Sequence, residues 1–525
     1  MVHSGVIYFI IGNRDRVMFY ITTPIYYVNA RPHLGTTYTT VIADVMSRYH
    51  RLMGEDTFFL TGTDEHGINI QRVAENKNIT PQQHCDELAS AFQETWKKLH
   101  IQYDGFIRTS ENRHIEVVQQ VFDYLFKKGV LYKGVYNGWY CPRCESYYNL
   151  EELEEDNCPI HKSKVDYLEE ETYFFSWSNY QEKLLEYYAD RPHFVVPENR
   201  YREIISFVER GLKDISVSRT SVSWGIPVVS TPEHTVYVWL DALLNYLSAV
   251  GFNSDGNLFS TLWPPKVQVI GKDILRQHAA FWPAVLMALE LPLPDHLMVH
   301  EFFLVTGSKM SKSGGNVFDP LVLIDELSKL TGVDPKISAD ALRYFLIKDG
   351  PEKNDSDFSF DSFINRFKVD LANDWGNLIN RTFGLMLRLG LTRVPNPDGL
   401  YDSEFKTEVQ KYIKLYHQSF AQLSPKEALN QISITLKFLN SYIDTHRPWS
   451  AEVKERDNCL YHILEGIRIV SLLMLPFMPV SSEIILRSLS YHMDTIDLKT
   501  ETSVYKIIPD TPIFLNLPPI FPRPK

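Results

Sequence analysis

Residues Phe19–Gly67 read FYITTPIYYVNARPHLGTTYTTVIADVMSRYHRLMGEDTFFLTGTDEHG. Phe19-Tyr20-Ile21 and Thr57-Phe58-Phe59-Leu60 are short aromatic and β-branched runs bounded by turn residues, the pattern of strands. Between them Tyr38, Val41, Ile42, Val45, Tyr49 and Leu52 recur at three- and four-residue steps. Gly54 follows where a C-terminal cap belongs, so a helix is expected there. Strand, helix and strand in so short a span make a parallel βαβ unit, and such sheets hold ligands beyond the carboxyl ends of their strands. His33, in the turn Pro32-His33-Leu34-Gly35-Thr36, and Asp64, in Thr61-Gly62-Thr63-Asp64-Glu65-His66-Gly67, fall at that end. Gly35 leaves room for a flat base to approach the backbone, and a helix N-terminus beside an imidazole suits a phosphate.

A His-x-Gly turn is by itself an ordinary surface turn. A second motif changes its weight. After an expected strand from Leu297 to Val305 comes Thr306-Gly307-Ser308-Lys309-Met310-Ser311-Lys312-Ser313-Gly314-Gly315. A glycine-flanked loop with two lysines three apart can grip a polyphosphate and release it. Both motifs, in this order and within one α/β domain, point to nucleotide chemistry.

A chain of 525 residues exceeds what one core organises, so three or four domains are expected. A hydrophobic share of 44% is that of a globular protein. The formal charge of −12 does not advertise a nucleic-acid binder, although a local basic face can still hold RNA. No apolar run reaches membrane-spanning length. Val6 to Ile11 is apolar but short, without a basic lead-in or a small-residue cleavage site, so no signal peptide is expected and translation is expected to begin at Met18. Of five cysteines, Cys85 and Cys459 stand alone. The others form Cys141-Pro142-Arg143-Cys144 and, thirteen residues on, Cys158-Pro159-Ile160-His161. Two tight turns with two ligands each are what tetrahedral zinc needs, and a closed four-ligand shell is structural because no water remains on the metal.

Farther along, Pro81 to Leu99 should be helical, with Leu88, Phe92, Trp96 and Leu99 on its core face. Residues 108–233 interrupt the α/β pattern. Their end carries an alternating strand, Asp214 to Thr220, and a turn at Trp224-Gly225-Ile226-Pro227. The pattern resumes at Val236 to Tyr246, then a strand from Val267 to Ile270, Gly271-Lys272-Asp273, and a helix with His278 bent or ended near Pro283. From Phe367 to about Leu489 the pattern is helical. There Asn377 and Arg381, four apart, share a helix face. Residues 509–525 are proline-rich, extended packing or a tail.

His33-Leu34-Gly35-Thr36 resembles the "HIGH" signature of the class I aminoacyl-tRNA synthetases, and Lys309-Met310-Ser311-Lys312-Ser313 matches their "KMSKS" signature without a change. From Met18 to about Pro509 the chain resembles the methionyl-tRNA synthetases within that class. The resemblance implies an α/β fold: a Rossmann-like catalytic domain (18–107 and 234–308) split by a zinc-binding connective insertion (108–233, knuckle about 137–165). A stem-contact fold with the lysine loop (309–365), an all-α anticodon-binding bundle (366–510) and a C-terminal tail (511–525) would follow. It also implies that ATP, with Mg²⁺, activates L-methionine as an adenylate, and that initiator and elongator methionine tRNAs accept the aminoacyl group. His33, Thr36, Lys309 and Lys312 would be catalytic. Gly35 under the adenine, Asp273 at the ribose and Ser311 would complete the ATP site. Asp64 would hold the substrate ammonium. Ile25, Tyr27, Tyr237, Trp239, Ala242, Leu243, Tyr246 and His278 would enclose the thioether, with Tyr246 or His278 bonding to sulfur. Three cysteines and one histidine are among the family's structural zinc knuckles, which fits Cys141, Cys144, Cys158 and His161. Asn377 and Arg381 resemble the anticodon-reading helix, and Pro448-Trp449 a second one, where Trp449 would stack on a base. Thr36 stands where many relatives carry a second histidine; its hydroxyl donates one hydrogen bond but carries no charge.

Other readings fit less of the chain. Synthetases for branched amino acids carry a large editing domain, for which there is no room between Asp64 and Tyr237. The cysteine enzyme places zinc in its amino acid site rather than in an insertion. A small nucleotidyl transferase needs neither the lysine loop nor the helical bundle, and a catalytically silent RNA-binding zinc module needs no His33, Asp64, Lys309 or Lys312. With no appended dimerisation domain expected after the bundle, a cytoplasmic monomer is expected.

Overall fold

The computed structural model describes residues 18–141, 146–148, 150–159, 162–254, 258–305, 308–309, 318–397, 399, 401–493 and 496–524. Expectations for residues 1–17, Cys144, His161, Ser311 and Lys312 lie outside them, and of Lys309 only the backbone is described. The chain forms two compact units. One holds the residues up to Arg31, Phe58–Glu94 and Tyr103–His300; the other holds Pro32–Thr57, Thr95–Gln102 and Glu301–Lys525.

The first unit is built on a seven-stranded sheet in the order Tyr26–Tyr27, Thr57–Asp64, Phe19–Thr22, Val267–Gly271, His296–His300 and Val195–Val196, with Gly105–Arg108 paired to Thr57–Asp64. The pairings of Phe19–Thr22 with Val267–Gly271, of that strand with His296–His300, and of Thr57–Asp64 with its neighbours Tyr26–Tyr27 and Gly105–Arg108 are parallel. Every residue of Val267–Gly271 is buried, as expected where helices cover both faces of a parallel sheet. Tyr20, Leu60, Ile107, Ile270 and Val299 lie in its core.

Three expectations need correction in this unit. Val195–Val196, from inside the expected insertion, pairs in parallel with His296–His300 at the edge of the main sheet. The Asn112–Lys127 helix buries Val117, Val118, Val121, Phe122 and Leu125 in the same core. What stands apart as sheet structure is narrower: a four-stranded sheet of Ser146–Tyr148, Leu131–Cys141, Asp166–Phe175 and Ile215–Ser216. The expected strand from Asp214 to Thr220 breaks at Val217, because Ile215–Ser216 joins that sheet and Ser218–Arg219 pairs with Thr231–Val236 in another. Likewise Leu297 to Val305 is two strands. His296–His300 belongs to the main sheet, and Phe303–Val305 pairs with Ser308–Lys309 and Ser356–Asp357 in the second unit.

The second unit carries the Leu34–Leu52 helix, whose buried face includes Tyr38, Val41, Ile42, Val45 and Tyr49 as its period demands. It also holds the helices Pro335–Asp349, Ser403–Ala421, Pro425–His446, Val453–Met474 and Pro479–Ser488. Val453–Met474 is buried on all sides from Cys459 onward. At Gly466 an added Cβ would lie 2.3 Å from a Leu439 methyl, so two helix backbones approach closely there. The C-terminal stretch is no free tail: Ile513, Leu515, Ile520 and Phe521 are buried, and the Phe521 ring lies 5.3 Å from that of Trp375.

One buried charge organises this unit. Arg343 has no exposed surface; its Nη2 lies 2.7 Å from Asp44 Oδ2 in the middle of the Leu34–Leu52 helix. It also donates to the carbonyls of Phe477 (2.9 Å), Pro476 (2.8 Å) and Leu99 (3.2 Å). Burial alone would raise the Asp44 carboxyl, yet Arg48, Arg343 and the Gln102 N–H together hold it below its ordinary value. Removing one member of a buried pair strands the other. Arg343→Leu is therefore expected to cost about 3–5 kcal/mol of stability in urea unfolding. An unchanged midpoint would show that the network contributes nothing.

Candidate active site

In the first unit the strand carrying Asp64 ends in a tightly held corner. The Glu65 carboxylate accepts from Arg108 Nε (2.7 Å) and Nη2 (3.0 Å), from the Thr63 hydroxyl (2.7 Å) and from Ser110. Its backbone N–H donates to Thr109 Oγ1 at 2.9 Å, and Trp224 donates to its carbonyl. His66 Nδ1 then reaches Asp241 Oδ2 at 2.7 Å, while His114 Nε2 reaches Oδ1 at 2.7 Å and its Nδ1 meets the Ser248 hydroxyl at 2.8 Å. Burial would raise the Asp241 carboxyl, but the two imidazoles outweigh it and hold it low. Asp241 lies in the Val238–Leu243 helix, so one carboxylate ties the Asp64 corner to the element bearing Trp239, Ala242 and Leu243. Asp241, His66 and His114 are absent from the residues singled out by sequence. A carboxylate inside the apolar run Val236 to Tyr246 was the available signal.

The aromatic residues gather in the same unit. His278 lies in a π-helical turn, Gln277–Phe281, directly before the Trp282–Ala288 helix that begins with Pro283 near its start. Its ring stands edge-on to Trp239 at 6.5 Å and to Tyr246 at 5.9 Å. Its Nδ1 bonds the Ile274 carbonyl (3.0 Å) and its Nε2 the Tyr246 hydroxyl (2.9 Å). A carbonyl only accepts, so Nδ1 carries the ring proton and Nε2 accepts from Tyr246. In this arrangement the His278 ring proton is engaged by the Ile274 carbonyl and the Tyr246 hydroxyl proton by His278 Nε2. Burial pushes the His278 imidazole down to about 4, so the wall it forms is uncharged. Ile25 is half-buried against this core, and Tyr27 pairs in register with Asp64. Tyr237 lies under Arg219, whose guanidinium is 4.3 Å from its ring, beside a cleft lined by His66, Tyr140, Trp224 and Val238. Asp273 is exposed in a short turn just past the Val267–Gly271 strand.

In the second unit His33 is the N-cap of the Leu34–Leu52 helix. Its Nδ1 accepts from the N–H groups of Gly35 (3.1 Å) and Thr36 (3.4 Å). The Thr36 hydroxyl bonds the His33 backbone in return. A Cβ on Gly35 would sit 3.0 Å from His33 Cε1, so the imidazole packs closely over this glycine. The Leu34 N–H donates to the Phe318 carbonyl at 3.1 Å. Tyr38, one turn farther on, stands edge-on to Phe303 at 5.4 Å. Phe303 and Phe318, which precede and follow the lysine motif in the chain, thus both contact the helix that His33 caps.

The described half of the cysteine quartet comes together: Cys141 and Cys158 share one buried cluster with Val165, backed by Trp139, Tyr148 and Leu153. Around Cys158 the chain folds back tightly, its N–H bonding the Ser163 carbonyl at 2.9 Å and its carbonyl taking the Lys162 N–H at 2.8 Å. In the helical region Asn377 and Arg381 lie on the Asn377–Arg388 helix. Trp449 is not on a helix, as expected of it, but in the turn after Pro425–His446, past Arg447 at φ 41°. Its ring is half exposed while Pro448 is buried. Arg381 lies 5.4 Å from the centre of that ring and pairs with Asp444 at 2.6 Å.

Comparison with known proteins matches a family model described as "tRNA synthetases class I (M)" over residues 19–167 and 148–383. A methionine--tRNA ligase from Clostridium tetani is 42% identical over 492 residues, covering 92% of this chain and 75% of the relative. One from Thermosynechococcus vestitus is 41% identical and covers 90% of each. Among solved structures, the Mycobacterium tuberculosis methionyl-tRNA synthetase in complex with methionyl-adenylate superposes with a TM-score of 0.90 at 34% identity, over 97% of this chain and all of that one.

The neutral His278 carries a measurable consequence. Its ordinary value is 6.5 and its folded value about 4, so between them the unfolded chain binds a proton that the folded chain refuses. Its contribution to stability is complete above the ordinary value and is lost as pH falls toward the folded one. Thermal unfolding of wild type and His278→Asn should therefore converge as pH drops from 7 to 4.5; parallel curves would contradict a neutral buried imidazole.

Proposed function

The chain belongs to the methionine--tRNA ligases of the class I tRNA synthetases, and from that premise we propose how its residues divide the work. The enzyme joins the L-methionine carboxylate to the α-phosphate of ATP, releasing pyrophosphate, and passes the methionyl group from the adenylate to tRNA, releasing AMP, in the service of translation.

On the amino acid side, Asp64 pairs with the substrate ammonium. A carboxylate at a buried strand end is suited to this, and the bonds on Glu65 and His66 fix the backbone on its far side. Ile25, Tyr27, Tyr237, Trp239, Ala242, Leu243, Tyr246 and His278 enclose the side chain. With His278 neutral and bonded to Tyr246, that wall selects a polarisable thioether by ring-edge contact rather than by a hydrogen bond to sulfur. Asp273, exposed beyond a strand end, takes the ribose.

On the phosphate side, with Nδ1 accepting, His33 carries its proton on Nε2 and donates it to phosphate oxygens. Lys309 and Lys312 neutralise the departing pyrophosphate, with Ser311 between them on the loop. The observation that carries this reading is the Leu34–Phe318 backbone bond, which roots the lysine loop at the start of the helix that His33 caps. Mg²⁺ bound with ATP adds positive charge to the phosphates. One zinc ion, held by Cys141, Cys144, Cys158 and His161, is structural; the two buried thiols in one cluster support it. No helix among the described residues is long and apolar enough to cross a membrane. Asn377, Arg381 and Trp449, the last half-exposed after buried Pro448, read the anticodon of methionine tRNAs.

Exchange of labelled pyrophosphate into ATP, assayed with each amino acid singly, should require methionine; exchange with another amino acid, or with none, would overturn the assignment. In the same assay Trp449→Ala should keep exchange within about twofold while tRNA charging falls about 10- to 100-fold, the range of one lost base stack. Equal losses in both would remove Trp449 from RNA recognition. Metal analysis should find one zinc per chain, lost in Cys158→Ser; a zinc-free, fully active wild type would end the metal assignment.

A further inference from the structure

The first turn of the Leu34–Leu52 helix is closed in an unusual way. Ser, Thr, Asp and Asn are the common N-caps, yet here an imidazole takes the role. His33 has extended backbone, φ −128° and ψ 173°, and turns its ring back so that Nδ1 accepts from the N–H groups of Gly35 and Thr36 at 3.1 and 3.4 Å. Those two N–H groups are among the orphan donors that a helix N-terminus offers to an anion. A phosphate approaching this helix therefore meets His33 in place of those two amides.

The Thr36 hydroxyl completes the arrangement. It accepts the His33 N–H at 3.1 Å and sends its one proton to the His33 carbonyl at 2.9 Å. Both bonds clamp the backbone of the residue whose ring forms the cap. A backbone N–H can only donate, so Nδ1 must be unprotonated and the ring proton must sit on Nε2. The space over Gly35 is part of the same device, since a Cβ there would lie 3.0 Å from His33 Cε1 and 3.1 Å from Nδ1. Accepting from the positive end of the helix also polarises the ring, which strengthens Nε2–H as a donor.

We propose that Thr36 is a positioning residue that clamps His33 as an Nε2–H donor, so that the ring relays the helix N-terminus to the nucleotide phosphates, and that the Thr36 hydroxyl itself is not a phosphate ligand. This rests on the phosphate role proposed for His33 and reassigns the catalytic role that the signature resemblance implies for Thr36. Such a clamp accounts for threonine in place of a second histidine: its hydroxyl reaches both the N–H and the carbonyl of His33 from the third position of the helix. Serine keeps that hydroxyl. Valine keeps the shape and loses both bonds.

Two measurements on the full-length enzyme test it. Long-range ¹H–¹⁵N correlation of the imidazoles, with His33 assigned through His33→Gln, should show the Nε2–H tautomer in the ligand-free wild type and a mixture of tautomers in Thr36→Val. A wild-type His33 that is Nδ1–H or doubly protonated at neutral pH would overturn the proposal even if no variant could be purified. In steady-state adenylate formation, Thr36→Val should lower kcat about tenfold, with KM for ATP and for methionine within about twofold, and Thr36→Ser should restore the wild-type rate. A Thr36→Val enzyme with raised KM for ATP, unchanged kcat and an unchanged tautomer would identify the hydroxyl as a phosphate ligand. Wild-type protein without methionine-dependent exchange would sink the enzymatic reading, whereas the tautomer result would still decide the clamp.

Discussion

A guanidinium with no surface in water is costly unless its donors are met, and Arg343 directs its donors to one carboxylate and three carbonyls. The carbonyls of Pro476 and Phe477 belong to the corner after the Val453–Met474 helix, where unsatisfied acceptors and a negative helix end favour a cation. The carboxylate, Asp44, lies midway along the nineteen-residue helix that His33 caps. Arg48, bonded to Asp44 at 2.7 Å, and the Gln102 N–H complete the socket. The helix that His33 caps is thus held at its middle by a charge seated on a helix corner more than four hundred residues later in the chain.

Charge is distributed by the same logic in the first unit, with the opposite aim. Asp241 stays ionised because two histidines meet it, and that anchored charge holds the corner beyond Asp64. His278 stays neutral because burial penalises protonation and its two nitrogens are satisfied by a carbonyl and a hydroxyl. The result is an ionised Asp241 and a neutral His278 within one unit, each set by the partners that meet it. In the proposed reading the aromatic residues select a thioether through contact of sulfur with ring edges, which leucine of similar length lacks.

Much of this was legible in the chain, and the parts that were not share a cause. The helix from Leu34 to Leu52 and the strand ending at Asp64 follow from period and turn residues within fifty positions, and both stand where expected. The Cys141 and Cys158 spacing anticipated two thiols in one cluster. Val195–Val196 is too short to show alternation, and only its pairing with Leu297 and Met298 makes it a strand of the main sheet. Nothing local marks Glu301 and Phe302 as the place where an apolar run changes sheets. The Asp241–His66–His114 set spans 66 to 241, and each residue alone looks like an ordinary polar position. His33 was visible as a ligand candidate, but an imidazole acting as a helix cap is a backbone geometry that residue type does not announce.

The proposed RNA-reading surface shows how an acidic protein can select a polyanion. With a formal charge of −12, diffuse attraction opposes encounter, so recognition has to come from directional contacts. Arg381 is partly neutralised by Asp444 at 2.6 Å, which weakens its pull on any passing phosphate while holding the guanidinium in place near the Trp449 ring. A phosphate contact would be gained equally from every RNA and screened by salt. A half-exposed indole after a buried proline, with a fixed guanidinium beside it, favours an unstacked base with hydrogen-bonding edges in reach. In the proposed reading, neutralising the arginine within the chain trades affinity for nucleic acid in general for discrimination at a base stacked on Trp449.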